Sequence, residues 1–149
     1  MRIGIVSDLH GHVPAALHDE LHWVDRILCA GDVQREEVLW ELETIAPVIC
    51  VRGNNDWSLG KLPASSTFTL GGVKFFMAHF PSDMGKRPAG TQVCVHGHTH
   101  VPRDETRGGV RFLNPGSTTF PRGGSEPSCM RAVVEGGKIS NVQLIALLY

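Results

Sequence analysis

Histidines that could bind a metal ion follow directly after an apolar run in the segment Thr91–His100, which reads TQVCVHGHTH. The run is typical of a buried strand, and Gly97 would let the backbone turn or pass close to a bound ion. We therefore expect His98 and His100 to project from a loop into one pocket. The alternative for an isolated HxH pair is a polar turn that is rich in histidine and has no function.

Polar side chains occupy the same kind of position elsewhere in the chain, directly after other short apolar runs. In open α/β sheets ligands bind at the carboxyl ends of the strands, so one fold could bring these side chains to one edge. The residues are Asp8, His10, Asp32, Asn54 and His79.

Together with His98 and His100, this set offers two carboxylates, four imidazoles and one amide. Such a set exceeds one tetrahedral zinc site but suits two adjacent divalent ions that share a bridging carboxylate. Two such ions lower the pKa of a shared water, orient the resulting hydroxide in line and neutralise charge on phosphoryl oxygens. Mixed imidazole and oxygen ligation favours Mn, Fe, Zn or Co over Ca or Mg alone. The set therefore predicts phosphoester hydrolysis without a covalent enzyme intermediate.

The elements that must position these residues alternate at first and then become hairpins. Apolar runs predict strands at 2–7, 25–30 and 48–51, and amphipathic spacing predicts helices at 13–23 and 35–45. Glycine pairs mark three later hairpins, at 67–78, 101–113 and 130–147. The segment 81–90 is predicted to be a loop or a lid.

Length and composition predict one globular domain that spans residues 1–149. Hydrophobic residues make up 42% of the chain and charged residues 19%, and no apolar run reaches the about 18 residues of a membrane span. We expect a cytoplasmic protein without a membrane partner. Four cysteines without CxxC spacing predict reduced core thiols rather than disulfides or zinc ligands. The net charge of −1 gives no sign of a polyanion-binding field, so a small phosphorylated substrate is favoured over nucleic acid.

The ordered motifs resemble those of the calcineurin-like metallophosphoesterases, in particular the small prokaryotic phosphodiesterase branch of that superfamily. The motifs are SDLHG at 7–11, GD at 31–32, GNND at 53–56, a histidine at 79, GHTH at 97–100, and NPGS at 114–117 followed by PRGG at 121–124. The resemblance implies an α/β fold of the metallophosphoesterase type, a two-sheet β-sandwich flanked by helices in four layers (αββα).

The resemblance also implies a ligand set and an activity. One metal would be held by Asp8, His10 and His100, a second by Asn54, His79 and His98, and Asp32 would bridge the two. The implied cofactors are two divalent ions, with manganese first and iron, zinc, cobalt or nickel as alternatives. The implied reaction is hydrolysis of a small phosphoester, more a phosphodiester than a monoester, by in-line attack of a metal-bridging hydroxide.

One position departs from the family pattern. Many members have a histidine directly after the metal-binding asparagine, where it assists the leaving group or contacts the phosphate, and here that position is Asn55. With Asp32 and Asn54, Asn55 completes the predicted catalytic group. An amide cannot donate a proton as an acid but can bond a phosphoryl oxygen, so we expect reliance on good leaving groups. Asp56 is expected to orient a ligand, and Arg122 to bind the substrate phosphate.

Several residues keep two interpretations. Trp57 either lines the substrate mouth or packs, whereas Trp40 is expected to pack on its helix. His96 is expected to be exposed or to orient a ligand. The C-terminal run 144–148 is either a core strand or a subunit contact, which leaves a homo-oligomer open. The rival functions are a protein-interaction scaffold of the same fold, which would bind metal poorly, and a nuclease, which would need a basic groove.

Overall fold

The computed structural model describes residues 1–148, which form ten strands, two α-helices and one 3-10 helix. In chain order these are β1 (Arg2–Val6), α1 (Ala15–Leu21), β2 (Arg26–Cys29), α2 (Glu36–Glu43), β3 (Val48–Cys50), β4 (Ser65–Leu70), β5 (Val73–Ala78), the 3-10 helix (Pro81–Lys86), β6 (Val93–Val95), β7 (Arg103–Arg107), β8 (Val110–Asn114), β9 (Ser128–Glu135) and β10 (Lys138–Ala146).

The strands form two mixed sheets of five strands each. The first sheet has the order β10-β9-β1-β2-β3 and the second has the order β4-β5-β6-β8-β7. Strands β1, β2 and β3 are parallel, and so are β5, β6 and β8. The register places Val6 beside Cys29 in one sheet and Met77 beside Val95 in the other. Within each sheet, parallel strands therefore end side by side.

The main core lies between the two sheets. Ile5 and Leu28 of the first sheet belong to one buried cluster with Phe75 and Met77 of the second, and all four are fully buried. A second cluster joins the outer face of the first sheet to both helices, through Leu17 of α1 and through α2 residues. The two-sheet metallophosphoesterase-type fold predicted from the sequence is confirmed.

The flanking layers are uneven. Both α-helices pack in the cluster on the first sheet, whereas the 3-10 helix covers the second sheet through the buried Met84. That 3-10 helix fills the first part of the segment 81–90, where a loop or lid was predicted, because Pro81 starts the turn and Met84 finds an apolar pocket. No helix within 1–148 is long and apolar enough to cross a membrane.

Helix α1 is shorter than the predicted 13–23. Pro14 has an extended ψ of 144° and is the residue that precedes the first helical one. The helix ends before His22, which is its C-terminal capping residue. Trp23 then packs under the guanidinium groups of Arg2 and Arg131, at 5.0 and 4.8 Å from its ring. The prediction that Trp40 packs is wrong, because its side chain points outward from α2 and is 57% exposed.

The cysteines and the C-terminal run have definite places. All four cysteines are unpaired, and three of them are buried, as a set of core thiols requires. The C-terminal run continues the edge strand β10, where Ile145 and Leu147 pack beneath the helices while Leu144 and Leu148 remain exposed. The run is thus a core strand with one free face, and the homo-oligomer stays a prediction.

Candidate metal centre

The strand ends of both sheets meet at one edge of the sandwich, where they deliver the predicted ligands. Asp8, Asp32 and Asn54 follow the parallel strands of the first sheet, and the histidines of the GHTH loop and His79 follow the parallel strands of the second. Open α/β sheets also bind substrates and cofactors at this edge, outside the carboxyl ends of their strands.

The first group of ligand atoms contains Asp8, His10 and His100. The Nε2 atoms of His10 and His100 lie 3.1 Å apart, and Asp8 Oδ1 is 3.3 Å from His100 Nε2 and 3.9 Å from His10 Nε2. All three ligand atoms lie within 4.8 Å of one another, close enough to share one ion. This is the first set implied by the sequence.

The second group is centred on His79. Its Nε2 atom is 3.4 Å from Asp32 Oδ2 and 3.0 Å from Asn54 Oδ1, and His98 Nδ1 lies 3.2 Å from the same Asn54 oxygen. Asn54, His79 and His98, the second set implied by the sequence, therefore also converge.

The two carboxylates lie between these groups. Asp32 Oδ2 is 3.8 Å from His10 Nε2 as well as 3.4 Å from His79 Nε2, as a bridging ligand requires. Asp8 Oδ1 is equally central, because it also lies 3.8 Å from His79 Nε2. The sequence predicted a bridging place for Asp32 alone, whereas the structure puts both carboxylates between the histidines.

The Asp8 side chain tests whether these residues fit a cation. It is fully buried, and its Oδ1 atom has no hydrogen-bond partner among residues 1–148, although such an orphaned oxygen is costly. Its other oxygen, Oδ2, accepts hydrogen bonds from Ser7 Oγ at 2.8 Å and from the His98 backbone N–H at 3.1 Å. An ion beside Oδ1 would satisfy the remaining lone pairs, so the donor set fits a divalent metal.

The imidazole rings are held in the orientation that metal binding needs. His79 donates its Nδ1–H to the Ala30 carbonyl at 2.7 Å, and His100 donates its Nδ1–H to the Phe120 carbonyl at 2.6 Å. Each ring thereby directs the Nε2 lone pair into the site. The His10 ring is positioned by a contact of 2.9 Å between its Nδ1 atom and the Gln34 side-chain amide nitrogen, and its Nε2 atom faces the carboxylates.

The two carboxyl groups differ in their protonation chemistry. Burial raises the pKa of Asp8 above its ordinary value despite the nearby imidazoles of His79 and His100. Burial also acts to raise the pKa of Asp32, but hydrogen bonds from His79 and Asn55 outweigh it and hold that pKa well below the usual range. Asp32 is therefore a carboxylate at any pH near neutrality.

Comparison with known proteins agrees with this geometry. The family model of the calcineurin-like phosphoesterase superfamily domain matches residues 1–137. The chain belongs to the calcineurin-like phosphoesterase superfamily. It is therefore a phosphoesterase, a hydrolase that acts on phosphoric ester bonds.

Relatives of this phosphoesterase are similar over most of their length. A probable metallophosphoesterase from Methanothermobacter thermautotrophicus is 35% identical over 93% of this chain and 89% of its own. Phosphodiesterase YfcE from Escherichia coli K12 is 30% identical over 86% and 85%. A variant of Vps29 from Entamoeba histolytica shares the fold, with a TM-score of 0.80 at 22% identity over 97% of this chain and 98% of its own.

Most of the predicted ligands of this phosphoesterase sit on strained backbone. Five have a positive φ that non-glycine residues rarely adopt, at a cost of about 1–3 kcal/mol each. They are Asp8 (55°), His10 (47°), Asp32 (58°), His98 (71°) and His100 (61°). Such strain persists only where the surrounding structure fixes it, and it clusters at functional sites.

Two glycines allow the ligand loops to approach each other. A Cβ on Gly97 would overlap the Ser7 hydroxyl and lie 2.7 Å from Asp8 Oδ2. A Cβ on Gly53 would overlap Asp32 Oδ1 and lie 2.8 Å from its Cγ. Gly97 was expected to let the backbone turn or pass close to a bound ion, and in the structure it lies close to the Asp8 carboxylate.

The GNND motif supports Asp32 in two ways. Asn55 donates its backbone N–H to Asp32 Oδ1 at 2.9 Å and its side-chain amide to Oδ2 at 3.0 Å. Asp56 is buried and accepts the backbone N–H groups of Asp32 and Gly53 at 2.8 Å each and that of Gln34 at 2.7 Å. Asp56 thus orients the loops that carry predicted metal ligands. The Asn55 side-chain amide is hydrogen-bonded to Asp32, one of these predicted ligands.

Residues of the NPGS motif have a role that the sequence did not reveal. Asn114 Nδ2 donates to the Gly97 carbonyl at 3.2 Å and to Thr99 Oγ1 at 3.0 Å, which fixes the GHTH loop. Ser117 Oγ donates to the Asp8 carbonyl at 2.7 Å. The motif was visible, but only the fold shows which loops it supports.

Other predicted residues lie around the centre rather than in it. Arg122 is exposed, and its backbone N–H donates to the His100 carbonyl at 3.2 Å. His96 is 2% exposed, and its Nε2 accepts a hydrogen bond from Arg103 at 3.0 Å. Burial lowers the pKa of His96, so it is a neutral core histidine beside the GHTH loop.

Proposed function

We propose that this phosphoesterase is a metal-dependent phosphodiesterase that hydrolyses a small phosphoester with two divalent ions. The observation that carries the proposal is the orphaned, buried Oδ1 atom of Asp8, which faces the ring nitrogens of His10, His79 and His100. A buried carboxylate oxygen among convergent imidazoles is costly unless a cation joins them.

The ligands divide into two sets that share the carboxylates. Asp8, His10 and His100 would hold one ion, and Asn54, His79 and His98 would hold the other, with Asp32 between them. Mixed imidazole, carboxylate and amide ligation suits manganese, iron, zinc or cobalt, and the family resemblance puts manganese first and adds nickel as an alternative. Two such ions, when bound, supply an activated water for in-line attack on phosphorus and positive charge for the phosphoryl oxygens.

The residues of the chain itself orient and balance this centre. Asp32 stays ionised because Asn55 donates two hydrogen bonds to its carboxylate, and Ser7 fixes the Asp8 side chain by a hydrogen bond to Oδ2. We place the exposed Arg122 on the substrate side, where its guanidinium can pair with a phosphate oxygen. The Asn55 amide holds no acidic proton, so the leaving group receives no proton from this position.

A diester is favoured over a monoester by the relatives, since the enzyme from Escherichia coli is named a phosphodiesterase. A nuclease would need free cations along a groove. Lys86 and Arg103, two basic side chains of the loops around the site, each have an acidic partner, since Lys86 pairs with Asp83 and Arg103 with Glu105, both at 3.0 Å. The scaffold function is disfavoured because all seven predicted ligand positions hold competent ligands that converge.

The experiment is hydrolysis of bis(p-nitrophenyl) phosphate and of p-nitrophenyl phosphate by metal-stripped protein titrated with Mn²⁺. We expect activity to rise until two ions are bound per chain, to favour the diester, and to be lost in Asp32→Ala. Binding of two ions without hydrolysis of either ester would contradict the activity. Failure to bind Mn²⁺, Zn²⁺ or Co²⁺ would contradict the metal centre itself.

A further inference from the structure

Trp57 is the most exposed of the large apolar side chains, and it directly follows the GNND motif that supplies the ligand Asn54. Its side chain is 85% exposed within residues 1–148. An indole ring that is this exposed contributes little burial to the folded state. Singly exposed apolar residues are common, and the position of this one is what distinguishes it.

Trp57 lines two clefts, one of which includes the predicted ligand Asn54 and the other its neighbour Asn55. One cleft, of about 280 Å³, is lined by Trp57, Arg52, Asn54, Phe80 and Asp83. The other, of about 380 Å³, is lined by Trp57, Gln34, Arg35, Asn55 and Ser58. Asn54 belongs to the metal centre and Gln34 bonds His10, so a phosphate at the centre would place its organic group against the indole.

The first cleft has the chemistry to recognise a planar heterocycle. It adds a second aromatic ring, Phe80, which packs against the His98 imidazole at a centroid distance of 4.7 Å. Arg52 supplies hydrogen-bond donors and Asp83 supplies carboxylate acceptors along the same wall. Its volume of about 280 Å³ lies just below the about 300–1,000 Å³ of small-molecule pockets, enough for one ring system attached to a phosphate that lies outside it.

We propose that Trp57 is a specificity-determining residue that stacks on a planar aromatic group of the substrate, so that the substrate class is a phosphodiester that carries a nucleobase or a similar heterocycle. The inference rests on the proposed phosphodiesterase function. Stacking on tryptophan tolerates all bases because each has a π face, so Trp57 selects for an aromatic group and not for one base.

Two phosphate esters that differ only in the base test this directly. Binding of adenosine 5′-monophosphate and of ribose 5-phosphate to the Mn²⁺-loaded protein is measured by calorimetry, in wild type, Trp57→Ala and Trp57→Phe. The matched control is Trp40→Ala, which removes an exposed indole on α2 away from the centre. We expect the nucleotide to bind about 5- to 150-fold more tightly than the sugar phosphate in wild type.

The expected outcome is that Trp57→Ala brings this ratio close to one, while Trp57→Phe keeps most of it and Trp40→Ala keeps all of it. A wild-type ratio near one, or a ratio that survives Trp57→Ala, overturns the inference. The proposed function is tested separately by wild-type hydrolysis of bis(p-nitrophenyl) phosphate. If the diester is hydrolysed but the two phosphate esters bind equally well, only the stacking is refuted. If the nucleotide binds more tightly but no diester is hydrolysed, only the proposed activity is refuted.

Discussion

Ser117 donates a 2.7 Å hydrogen bond to the backbone carbonyl of Asp8, although 109 residues separate the two. The same hydroxyl accepts the backbone N–H groups of Thr119 at 3.2 Å and Phe120 at 2.9 Å. It thus fixes the backbone of one carboxylate ligand together with the turn whose Phe120 carbonyl orients His100. One buried hydroxyl therefore couples two ligands of the first group.

Ser117→Ala should weaken metal binding and lower stability. The change leaves buried backbone groups without a partner, which costs about 1–3 kcal/mol. Loss of a group that orients ligands typically lowers metal affinity by about 10- to 100-fold. Denaturant unfolding and Mn²⁺ calorimetry measure the two effects. Thr118→Val is the matched control, because the neighbouring Thr118 hydroxyl is buried and has no partner among residues 1–148; equal losses in both variants would refute the prediction.

Gly97→Ala should disrupt the centre more than a methyl group usually does. The added Cβ would overlap Ser7 and lie 2.7 Å from Asp8 Oδ2, so β1 and the GHTH loop must separate. Such overpacking costs about 1–3 kcal/mol. The measurements are thermal unfolding and the metal content of purified protein. Gly85→Ala is the control, because a Cβ at Gly85 meets nothing within 4 Å, and a variant at Gly97 with full metal content would show that the contact is dispensable.

Removal of metal ions should lower the melting temperature. Ligand binding at 100 times its dissociation constant stabilises a protein by about 2.7 kcal/mol, which corresponds to about 5–10 °C for a domain of this size. Scanning calorimetry of stripped and Mn²⁺-loaded protein measures the shift. Asp8→Asn should abolish it, whereas His22→Ala, an exposed histidine outside the centre, should retain it. A shift that is the same in Asp8→Asn would place the ions elsewhere.

Hydrolysis should depend steeply on the leaving group, because Asn55 cannot protonate it. Rates for a series of aryl phosphodiesters should fall as the pKa of the phenol rises. Asn55→His should flatten that dependence, whereas Asn55→Gln, which keeps an amide, should leave it steep. A flat dependence in the wild type would mean that another group donates the proton.

The cysteines should react slowly with thiol reagents in the native protein. Burial raises the pKa of Cys129 to about 12. The pKa of Cys50 is raised by its hydrogen bond to Cys29 and by burial, and burial also raises that of Cys94. Little thiolate therefore exists at these three positions at pH 8, and the Cys29 side chain is fully buried from the reagent. Ellman's reagent should titrate all four thiols only after unfolding in guanidinium, and a rapid native reaction at any site would contradict this.

The strand ends and the polar side chains that follow them could be predicted because both depend on local signals. An apolar run that stops at Asp8 or Asp32 marks a buried strand and its polar tip without any knowledge of the partners. The family pattern then ordered the ligands into two groups. Helix ends were less predictable, since Pro14 lies outside α1 and not in its first turn.

The remaining features depend on distances that no local pattern encodes. Nothing in the sequence shows that Asp8 lies 3.8 Å from His79, because these residues belong to different sheets. The supports from Asn114 and Ser117 likewise reach loops that are distant in the chain. Trp40 was misjudged because its helical position does not tell which side of α2 faces the sheet.

The ligands come from two sheets, and the space between those sheets is filled by apolar side chains such as Ile5 and Phe75. Close-packed protein interiors are hard to compress. The thickness of this apolar layer therefore determines the distance between the carboxylates that follow one sheet and the imidazoles that follow the other. We expect a smaller side chain at Ile5 to change the spacing between the predicted ligands of the two sheets without altering any of them. Substitutions of the apolar side chains between the sheets are therefore a route by which the metal preference of this chain could change while every predicted ligand stays the same.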